Sequence, residues 1–318
     1  MAKKNRRVGY WRYYHLAHSR MFQRVLEAVI SLVEEASEPY PRLRRGRPPV
    51  HSSRKMAVIC LLTVILDFSF RNMESLLPLL KFPWNEPTPD HSTIHEAMAR
   101  MPQRYLERIL QKTSGLCIAE AEWSKGLLAA DSTGIETDRY EKAVIACKSA
   151  KRRIHLKYHV LAILDYSIIL SARLTSKSIG DSPTFRSMLK NLPDMEDSIL
   201  NGDKAYDADE NFELAYKKGL HPNIKQRETY GNNRGRRFRR RAATEFNQSI
   251  YRYRGLIEGI FGAEESKNGL ATRYRRKDTQ RKWGTILAIK HNIQVLNRIE
   301  CAKQLNITLQ PLLERISL

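Results

Sequence analysis

Three carboxylates have the residue types and the spacing that metal-dependent chemistry needs. Asp131 follows the apolar run 127–130, and Asp203 follows a similar, weaker run that begins at Ile199. Runs of this kind are typical of buried strands, so we expect each aspartate at the end of a strand. Their separation of 72 residues (203 − 131 = 72) predicts that they lie on different strands of one sheet.

The third carboxylate, Glu258, lies in a segment with helical patterning at 247–262. Tyr251, Arg254 and Glu258 are spaced by three and four residues, so a helix places a phenol, a guanidinium and a carboxylate on one face. The neighbouring apolar residues fall largely on other faces. We interpret this polar face as directed at a site; the alternative is a solvated face with an Arg254–Glu258 ion pair.

Three carboxylates suit a pair of Mg²⁺ ions, because this cation takes oxygen ligands from carboxylates, water and phosphate. Two such ions about 3.5–4 Å apart activate an attacking oxygen and stabilise a leaving oxygen in phosphodiester displacement. We therefore predict that Asp131, Asp203 and Glu258 are catalytic and bind two Mg²⁺ ions, for which Mn²⁺ can substitute. Because nearby carboxylates repel one another, metal binding should compete with protons.

Asp203 has competitors within its own segment. Taken alone it fits a turn residue, and Asp207 or Asp209 would serve equally well as a ligand. The apolar run before Asp203 resembles the run before Asp131, so we select Asp203. We assign Asp207 and Asp209 to the cap and first turn of the following helix.

The elements that would position these acids begin near Lys125. The order predicted from there is three strands, helix, strand, helix, strand, helix, which favours a mixed α/β sheet with helices on both faces. In open sheets of this type, sites form where strands end. The strands are expected at 126–133, 157–165, 167–174, 198–203 and 221–226, and the helices at 181–192, 207–220 and 247–262.

The first part of the chain has helical patterning, with clear helices at 21–35 and 54–68 separated by a Pro- and Arg-rich linker at about 37–53. A further helix is expected to begin near Ser92, as its N-cap. A helix-turn-helix-like module and a small helical bundle fit these short helices equally well. We divide the chain into a helical DNA-binding or oligomerisation region at 1–120 and a catalytic domain at 121–318.

Charge indicates the class of partner. The chain carries 55 Lys and Arg against 34 Asp and Glu, a formal net charge of +21. Such an excess is typical of proteins that bind nucleic acid, although a ribosome-like or merely basic protein also fits. The four cysteines are far apart, which predicts neither a zinc ribbon nor a disulfide framework. With no secretory signal and an apolar run at 56–66 too short for a bilayer, we expect a cytoplasmic, nucleoid-associated protein.

Basic segments give the candidate DNA contacts. Arg44 and Arg47, in the stretch 44–49, could lie in an AT-rich minor groove, although a solvated linker fits as well. A second stretch, at 271–282, is also basic. The arginine-rich segment from 234 to 241 is expected to be a loop that orders on DNA, with a solvated surface as the alternative. Its arginines are Arg234, Arg236, Arg237, Arg239, Arg240 and Arg241.

Three segments, "LLAADSTGI", "GDKAYD" and "YRYRGLIEGIFG", together resemble the DDE transposases of prokaryotic insertion sequences. The resemblance covers about 126–297 and matches Asp131, Asp203 and Glu258 in order and in expected context. The family also carries a Tyr-x2-Arg-x3-Glu-x6-Lys signature. Here Glu265 stands at the lysine position, and the nearest lysine is Lys267. Either the helix ends early near Gly262 and Lys267 turns in, or the role of the lysine is lost or shifted.

The resemblance implies a ribonuclease-H-like catalytic domain that cleaves DNA at transposon ends and transfers strands, with water and then a freed 3′-hydroxyl as nucleophile. It implies terminal inverted repeats and target DNA as partners, a homodimer on DNA, and no membrane. The alternatives are a ribonuclease-H-like nuclease or resolvase, a domesticated DNA-binding protein, and an RNA-binding protein. The residues expected to contact DNA are Tyr251, Arg254, Lys204, Arg237, Arg240, Arg44, Arg47 and Lys267.

Overall fold

The computed structural model describes residues 2–40, 49–80, 82–136, 155–228, 237–268, 271–307 and 309, without the side chains of 2–10, 155 and 266–268. Arg44, Arg47, Arg234 and Arg236 lie outside the described residues, as does the Lys267 side chain. The chain divides into two compact units. The first comprises Met1–Leu116 and Arg276–Ile307, and the second comprises Cys117–Arg275 and Thr308–Leu318.

The regular elements described in the first unit are all helices. The amphipathic pattern at 21–35 forms a helix that buries Val25, Val29 and Leu32 at helical spacing, whereas the helix from Ser53 is buried on all sides from Lys55 to Ile65. The helices are α1 (Ala2–Ser19), α2 (Met21–Glu34), α3 (Ser53–Ile65), α4 (Phe70–Leu76), α5 (His91–Arg100), α6 (Gln103–Glu120, which crosses the unit boundary) and α12 (Lys277–Gln304).

The start of α5 differs from the prediction by two residues. Asp90, rather than Ser92, is the N-cap, and its Oδ1 accepts a hydrogen bond from the Thr93 N–H at 2.7 Å. Ser92 instead donates its hydroxyl to the same oxygen at 2.9 Å. The carboxylate is the stronger acceptor for an unpaired N–H, and its charge suits the positive end of a helix.

The long helix α12 packs against α1, α2, α3 and α5 within the first unit. The Lys282 ammonium donates hydrogen bonds to the carbonyls of Met98 and Ala99, and the Asn297 amide donates one to the carbonyl of Ala17. The sequence-based boundary at 121–318 places this helix with the catalytic domain, whereas its contacts place it with the helices. Its buried polar residues find partners on helices far away in sequence, which local patterning does not reveal.

No single helix within the described residues is long and apolar enough to span a membrane. The stretches Ser53–Ile65 and Phe70–Leu79 reach that hydrophobicity only when they are counted together, across a bend of 115°.

The second unit is a mixed five-stranded sheet flanked by helices, which confirms the predicted ribonuclease-H-like fold. The strand order is β3-β2-β1-β4-β5; β1, β2 and β3 are antiparallel, and β4 runs parallel to both β1 and β5. The strands are β1 (Leu127–Glu136), β2 (His155–Ile163), β3 (Ile168–Ser176), β4 (Ser198–Gly202) and β5 (Leu220–Ile224). The helices are α7 (Asp181–Lys190), α8 (Asp209–Lys217), α9 (Arg237–Glu245), α10 (Gln248–Tyr251) and α11 (Leu256–Asn268).

The beginning of β1 is held by the turn between β2 and β3. Asp165 Oδ2 accepts hydrogen bonds from the Trp123 indole at 3.1 Å and from the Leu127 N–H at 3.0 Å. A Cβ atom at Gly126 would lie 2.0 Å from the same carboxylate oxygen, so a larger residue here would push Asp165 out of these hydrogen bonds. Because these contacts fix where β1 starts, they also fix how far along the sheet Asp131 lies.

The strand β1 continues past Asp131, contrary to the prediction that Asp131 ends it. Its parallel pairing with β4 stops at Ala129 and Asn201, but its antiparallel pairing with β2 continues from Leu128 to Glu136. Asp131 therefore lies within a strand, at the point where one of its two neighbours ends. The apolar run predicts only the part that is buried on both sides.

Candidate active site

Asp131 is half-buried, and both of its carboxylate oxygens have partners. Oδ1 accepts a hydrogen bond from the Ser132 N–H at 2.8 Å. Oδ2 lies 2.8 Å from Nη1 of Arg254, and the two side chains are 18% and 23% exposed. Asp131 is thus presented beside the end of β4 by a strand that is itself fixed at its beginning.

Asp203 is the first residue after β4, as predicted, and its backbone is still extended (φ −84°, ψ −178°). Its Oδ1 accepts the Ala205 N–H at 2.8 Å and so caps the short 3-10 turn Lys204–Tyr206. Asp203 therefore caps the turn through Oδ1. No cationic side chain among the described residues lies in direct contact with its carboxylate.

The segment that carries Glu258 is not the single helix that the sequence predicts. It consists of α10, the 3-10 turn Arg252–Gly255 and α11, which follow one another without a break. Gly255 has a low helix propensity, which favours a change of helix type at this point. Tyr251, Arg254 and Glu258 therefore lie on three successive elements, and α11 packs against β1, the strand of Asp131.

Electrostatics connect the three acids. The pKa of Asp131 is raised, first because of its burial and then because of the negative charges of Asp203 and Glu258, against the lowering effects of the Ser132 N–H and Arg254. Burial lowers the pKa of the Arg254 guanidinium, but Asp131, Tyr251, Asp203 and Glu258 together outweigh it, and the pKa is raised. Asp131, Asp203, Glu258 and Arg254 thus form one electrostatic group, which we call the acidic cluster.

The candidate ligands in the acidic cluster are all carboxylate oxygens, and such a set fits a hard cation such as Mg²⁺. In the portion of the chain that the structure describes, no three His, Cys, Asp or Glu residues already converge closely enough to hold a metal ion. Arg254 also lies against Oδ2 of Asp131. A cation bound through that oxygen would compete with the guanidinium, and the metal assignment stays a prediction.

Tyr251 lies beside the acidic cluster rather than in it. Its ring centroid is 5.9 Å from the Arg254 guanidinium carbon and 5.8 Å from Nζ of Lys225, and it packs on Phe246 at 5.5 Å. These contacts between cations and one aromatic ring place positive charge next to the acids. Lys225, which the sequence did not single out, directly follows β5.

Asp207 does not cap α8, contrary to the prediction. Ala208 is the N-cap, and Asp207 forms a two-point ion pair with Arg239, at 2.7 Å to Nε and 3.0 Å to Nη2. Asp209 does lie in the first turn of α8, and Gly219, with φ +73°, follows the end of that helix. The partner of Asp207 is 32 residues away, which is why local capping rules miss it.

The described part of the arginine-rich segment is helical rather than a loop. Arg237–Glu245 forms α9, in which Arg239 is 7% exposed. Arg241 is paired with Glu245 and lies 4.1 Å from the ring centroid of Tyr216. Arg237 and Arg240 are exposed on this helix. Of the predicted DNA contacts on this helix, Arg237 and Arg240 are therefore accessible to solvent, whereas Arg239 is buried.

Lys204 and Tyr206 take different positions in the turn after Asp203. Lys204 is exposed, and its carbonyl accepts a hydrogen bond from Nε of Arg227 at 2.8 Å. Tyr206 is 2% exposed and packs on Phe185 with ring centroids 4.7 Å apart. Burial and the nearby carboxylates of Asp131, Asp203 and Asp181 raise the pKa of its hydroxyl. Tyr206 therefore supports the turn from below, and only Lys204 is available to DNA.

The helix α11 does not end near Gly262 but continues to Asn268. The first of the two alternatives for Lys267 is therefore wrong. Glu265, at the position of the signature lysine, is exposed.

A second polar group beside the acidic cluster was missed by sequence reasoning. Asp181 stands at the start of the helix predicted at 181–192, where it would be expected as a cap, but Gly180 is the N-cap of α7 and Asp181 lies in its first turn. The Asp181 carboxylate instead accepts hydrogen bonds from the Lys157 ammonium, at 2.9 and 3.1 Å. The same carboxylate lies 3.5 Å from the Ser132 hydroxyl. His159 is 2% exposed beside it, with its Nδ1 3.8 Å from Asp181. The only available signal was a histidine and a lysine within an otherwise apolar strand.

Comparison with known proteins gives two findings. The chain is 27% identical over 157 residues to an uncharacterised protein of Aquifex aeolicus (strain VF5), which is 47% of this chain and 47% of that protein. The chain thus spans about half the length of that relative. The family model described as "Transposase DDE domain" matches residues 122–293, more than half of the chain. Proteins of that family are transposition enzymes that act on DNA and generally use divalent metal ions. This chain belongs to the transposase DDE domain family.

Proposed function

We propose that this chain is a transposase that binds the ends of an insertion sequence and catalyses metal-dependent DNA cleavage and strand transfer. The observation that carries the proposal is the acidic cluster: Asp203, after the end of β4, and Glu258, on α11, both act on Asp131 of β1, and all three acids act on Arg254. Family membership supplies the reaction class.

In this proposal Asp131, Asp203 and Glu258 hold two Mg²⁺ ions, for which Mn²⁺ can substitute. Bound there, the ions would activate the attacking oxygen and stabilise the leaving oxygen. The protein supplies the carboxylates from three different elements, and the bonds to Ser132 and Ala205 orient two of them. The half-buried position of Asp131 strengthens its attraction to cations, because water screens it less.

Arg254 has a double role in the proposal. Its guanidinium balances the charge of Asp131 at 2.8 Å. It would be free to bind a DNA phosphate if cations balanced that carboxylate instead. A guanidinium suits this role because it can bind two phosphate oxygens at once. Tyr251 lies beside this guanidinium, with its ring centroid 5.9 Å from the guanidinium carbon.

The proposed partners are double-stranded DNA and, because two ends must be joined, a second copy of the chain. Counterion release makes DNA contacts of basic residues strongly dependent on salt. The proposed contacts are the exposed Lys204, Arg237 and Arg240. Arg44, Arg47 and Lys267, whose side chains lie outside the described part of the chain, are proposed on sequence alone.

The test of the proposal is Mg²⁺-dependent cleavage of DNA carrying the element's ends. We expect Asp131→Asn, Asp203→Asn and Glu258→Gln each to lower the cleavage rate by about 10⁴-fold, as loss of a catalytic group does. DNA affinity, measured by gel shift, should change little. The matched control is Asp197→Asn, an exposed acid just before β4. Normal cleavage by any one of the three variants would reject the assignment of that residue.

Inverted repeats in the DNA that flanks the gene distinguish a transposase from a nuclease or resolvase of the same fold. End recognition is best tested on the full chain, because α12 packs on the N-terminal helices and would lose its partners in a truncation. We expect the full chain to prefer end-containing DNA over random DNA of equal length. Equal affinity for the two would contradict the proposal.

A further inference from the structure

Three asparagines connect the strand of Asp203 to the segment of Glu258. Asn201 is in β4, Asn223 is its direct partner in β5, and Asn247 is the N-cap of α10. Asn201 is fully buried and Asn223 is 4% exposed. Buried strand positions normally hold apolar side chains, so two adjacent amides require an explanation.

Asn223 is the centre of this group. Its Nδ2 donates to Oδ1 of Asn201 at 2.8 Å and to the carbonyl of Asn247 at 3.0 Å. Its Oδ1 accepts the N–H of Asn247 at 2.8 Å. The side chain therefore binds both backbone polar groups of Asn247, which fixes this residue in direction as well as in distance. We call these three residues the amide bridge.

The two ends of the amide bridge lead to the acidic cluster. Asn201 precedes Asp203 by two residues of extended chain, so both side chains lie on the same face of the sheet. Asn247 caps α10 by accepting the N–H groups of Ser249 and Ile250. From there the chain continues through α10 and the 3-10 turn to Glu258 without an intervening loop. A shift of Asn247 would therefore move Glu258 with it.

Stability alone does not explain the amide bridge. The Nδ2 of Asn201 is buried and has no hydrogen-bond partner among the described residues. An unsatisfied buried donor costs about 1–3 kcal/mol, and apolar side chains of similar volume would avoid that cost. What the amides provide beyond apolar packing is a directional connection between two elements that carry acids.

We propose that Asn201, Asn223 and Asn247 are positioning residues, which set the distance between Asp203 and the segment that carries Arg254 and Glu258. The inference rests on the proposed function only in treating these acids as metal ligands. The geometric part, that the amide bridge holds α10 and the following turn in place, stands without it.

The test compares Asn223→Leu with Ser198→Ala in the full chain. Ser198 is fully buried at the other end of β4 and accepts one hydrogen bond, from the N–H of Gly126. We expect both variants to lower Tm, but only Asn223→Leu to weaken Mn²⁺ binding, by about tenfold, as loss of a supporting group does. Equal Mn²⁺ affinities of the two variants would overturn the proposal. If Asn223→Leu does not fold, Asn201→Ala, which keeps the contact with Asn247, should give a smaller loss in the same direction.

Two further readouts separate this inference from the proposed function. Hydrogen exchange without added metal should be faster at 248–258 in Asn223→Leu than in Ser198→Ala; unchanged exchange there rejects the amide bridge whatever the acids do. In a Glu258→Gln background, Asn223→Leu should have no further effect on Mn²⁺ affinity, because it acts through Glu258. Additive effects would contradict that route. If Glu258→Gln alone leaves Mn²⁺ binding unchanged, the ligand assignment fails, and the exchange result alone decides on the bridge.

Discussion

The second unit contains two arginine–aspartate pairs that differ in nearly every physical respect. Arg239 and Asp207 meet through two hydrogen bonds, with side chains only 8% and 3% exposed. Arg239 also donates to the carbonyl of Arg227 at 2.7 Å. Arg254 and Asp131 share one contact, and their side chains are 23% and 18% exposed.

The difference separates structure from chemistry. In the first pair both Nε and Nη2 of Arg239 have acceptors, and the pair holds α9 to the turn after β4. In the second pair one cation faces three acids, and the pKa of Asp131 stays raised despite Arg254. A charge imbalance that folding leaves in place is typical of a functional site, where a ligand completes it.

Breaking the buried pair of Arg239 and Asp207, which we call the closed pair, should have the largest effect on stability. Arg239→Met leaves Asp207 buried without its partner, so we expect the free energy of unfolding to fall by about 3–5 kcal/mol. Urea unfolding measures this change. The double variant Arg239→Met/Asp207→Leu should recover most of the loss, because it removes the unpaired charge. A loss below about 1 kcal/mol in the single variant would show that the two pairs do not differ as described.

We call Arg254 and Asp131 the open pair. A histidine near this pair, His159, should make the folding stability depend on pH. His159 lies opposite Ser132 in the sheet, and its pKa is lowered to about 4, first by burial and further by Lys157, against the effect of Asp181. Between pH 6.5 and 4 the unfolded chain therefore binds a proton that the folded chain does not, so stability falls as the pH falls through this range. The shift corresponds to roughly 3 kcal/mol.

His159→Gln provides the control for this pH dependence, because it can keep a hydrogen bond to Thr175 but does not titrate. We expect the difference in unfolding free energy between wild type and His159→Gln to change by that amount between pH 6.5 and 4. A constant difference across this range would mean that His159 is not held neutral.

Breaking the open pair should affect activity more than stability. Arg254→Met removes an ion pair whose side chains are 23% and 18% exposed, so we expect the free energy of unfolding to change by about 1 kcal/mol or less. Cleavage should fall by about 10²-fold, because the group proposed to bind a DNA phosphate is lost. Cleavage at a normal rate with a large loss of stability would reverse the assignment of the two pairs.

The smallest expected effect distinguishes two arginines of one helix. Arg237 is exposed on α9, whereas Arg239 is buried in the closed pair. Arg237→Gln should weaken DNA binding uniformly across sequences and reduce the slope of log affinity against log salt by about 1. An unchanged slope would place the DNA path away from α9.

The sequence predicts much of this arrangement because apolar runs and helical spacing are local signals. The five strands, the helices after β3 and β4, and the position of Asp203 directly after β4 follow from them. The length of β1 does not, because its last residues are held by β2 rather than by their own burial.

Long-range partners account for the other differences. The role of Asp207 depends on Arg239, the role of Asp181 on Lys157, and the position of α12 on helices at the opposite end of the sequence. Asn201 and Asn223 gave a usable signal, since an amide within an apolar strand predicts a specific partner, but not which one.

The most direct test of the central claim compares two acids four residues apart, Asp203 and Asp207. Mg²⁺-dependent cleavage of end-containing DNA should be measured for Asp203→Asn and Asp207→Asn, per folded molecule and at a temperature where both are folded. We expect Asp203→Asn to lose about 10⁴-fold in rate and Asp207→Asn to keep most of it despite a lower Tm. Cleavage by Asp203→Asn at the wild-type rate, or loss of cleavage only in Asp207→Asn, would contradict the proposed active site.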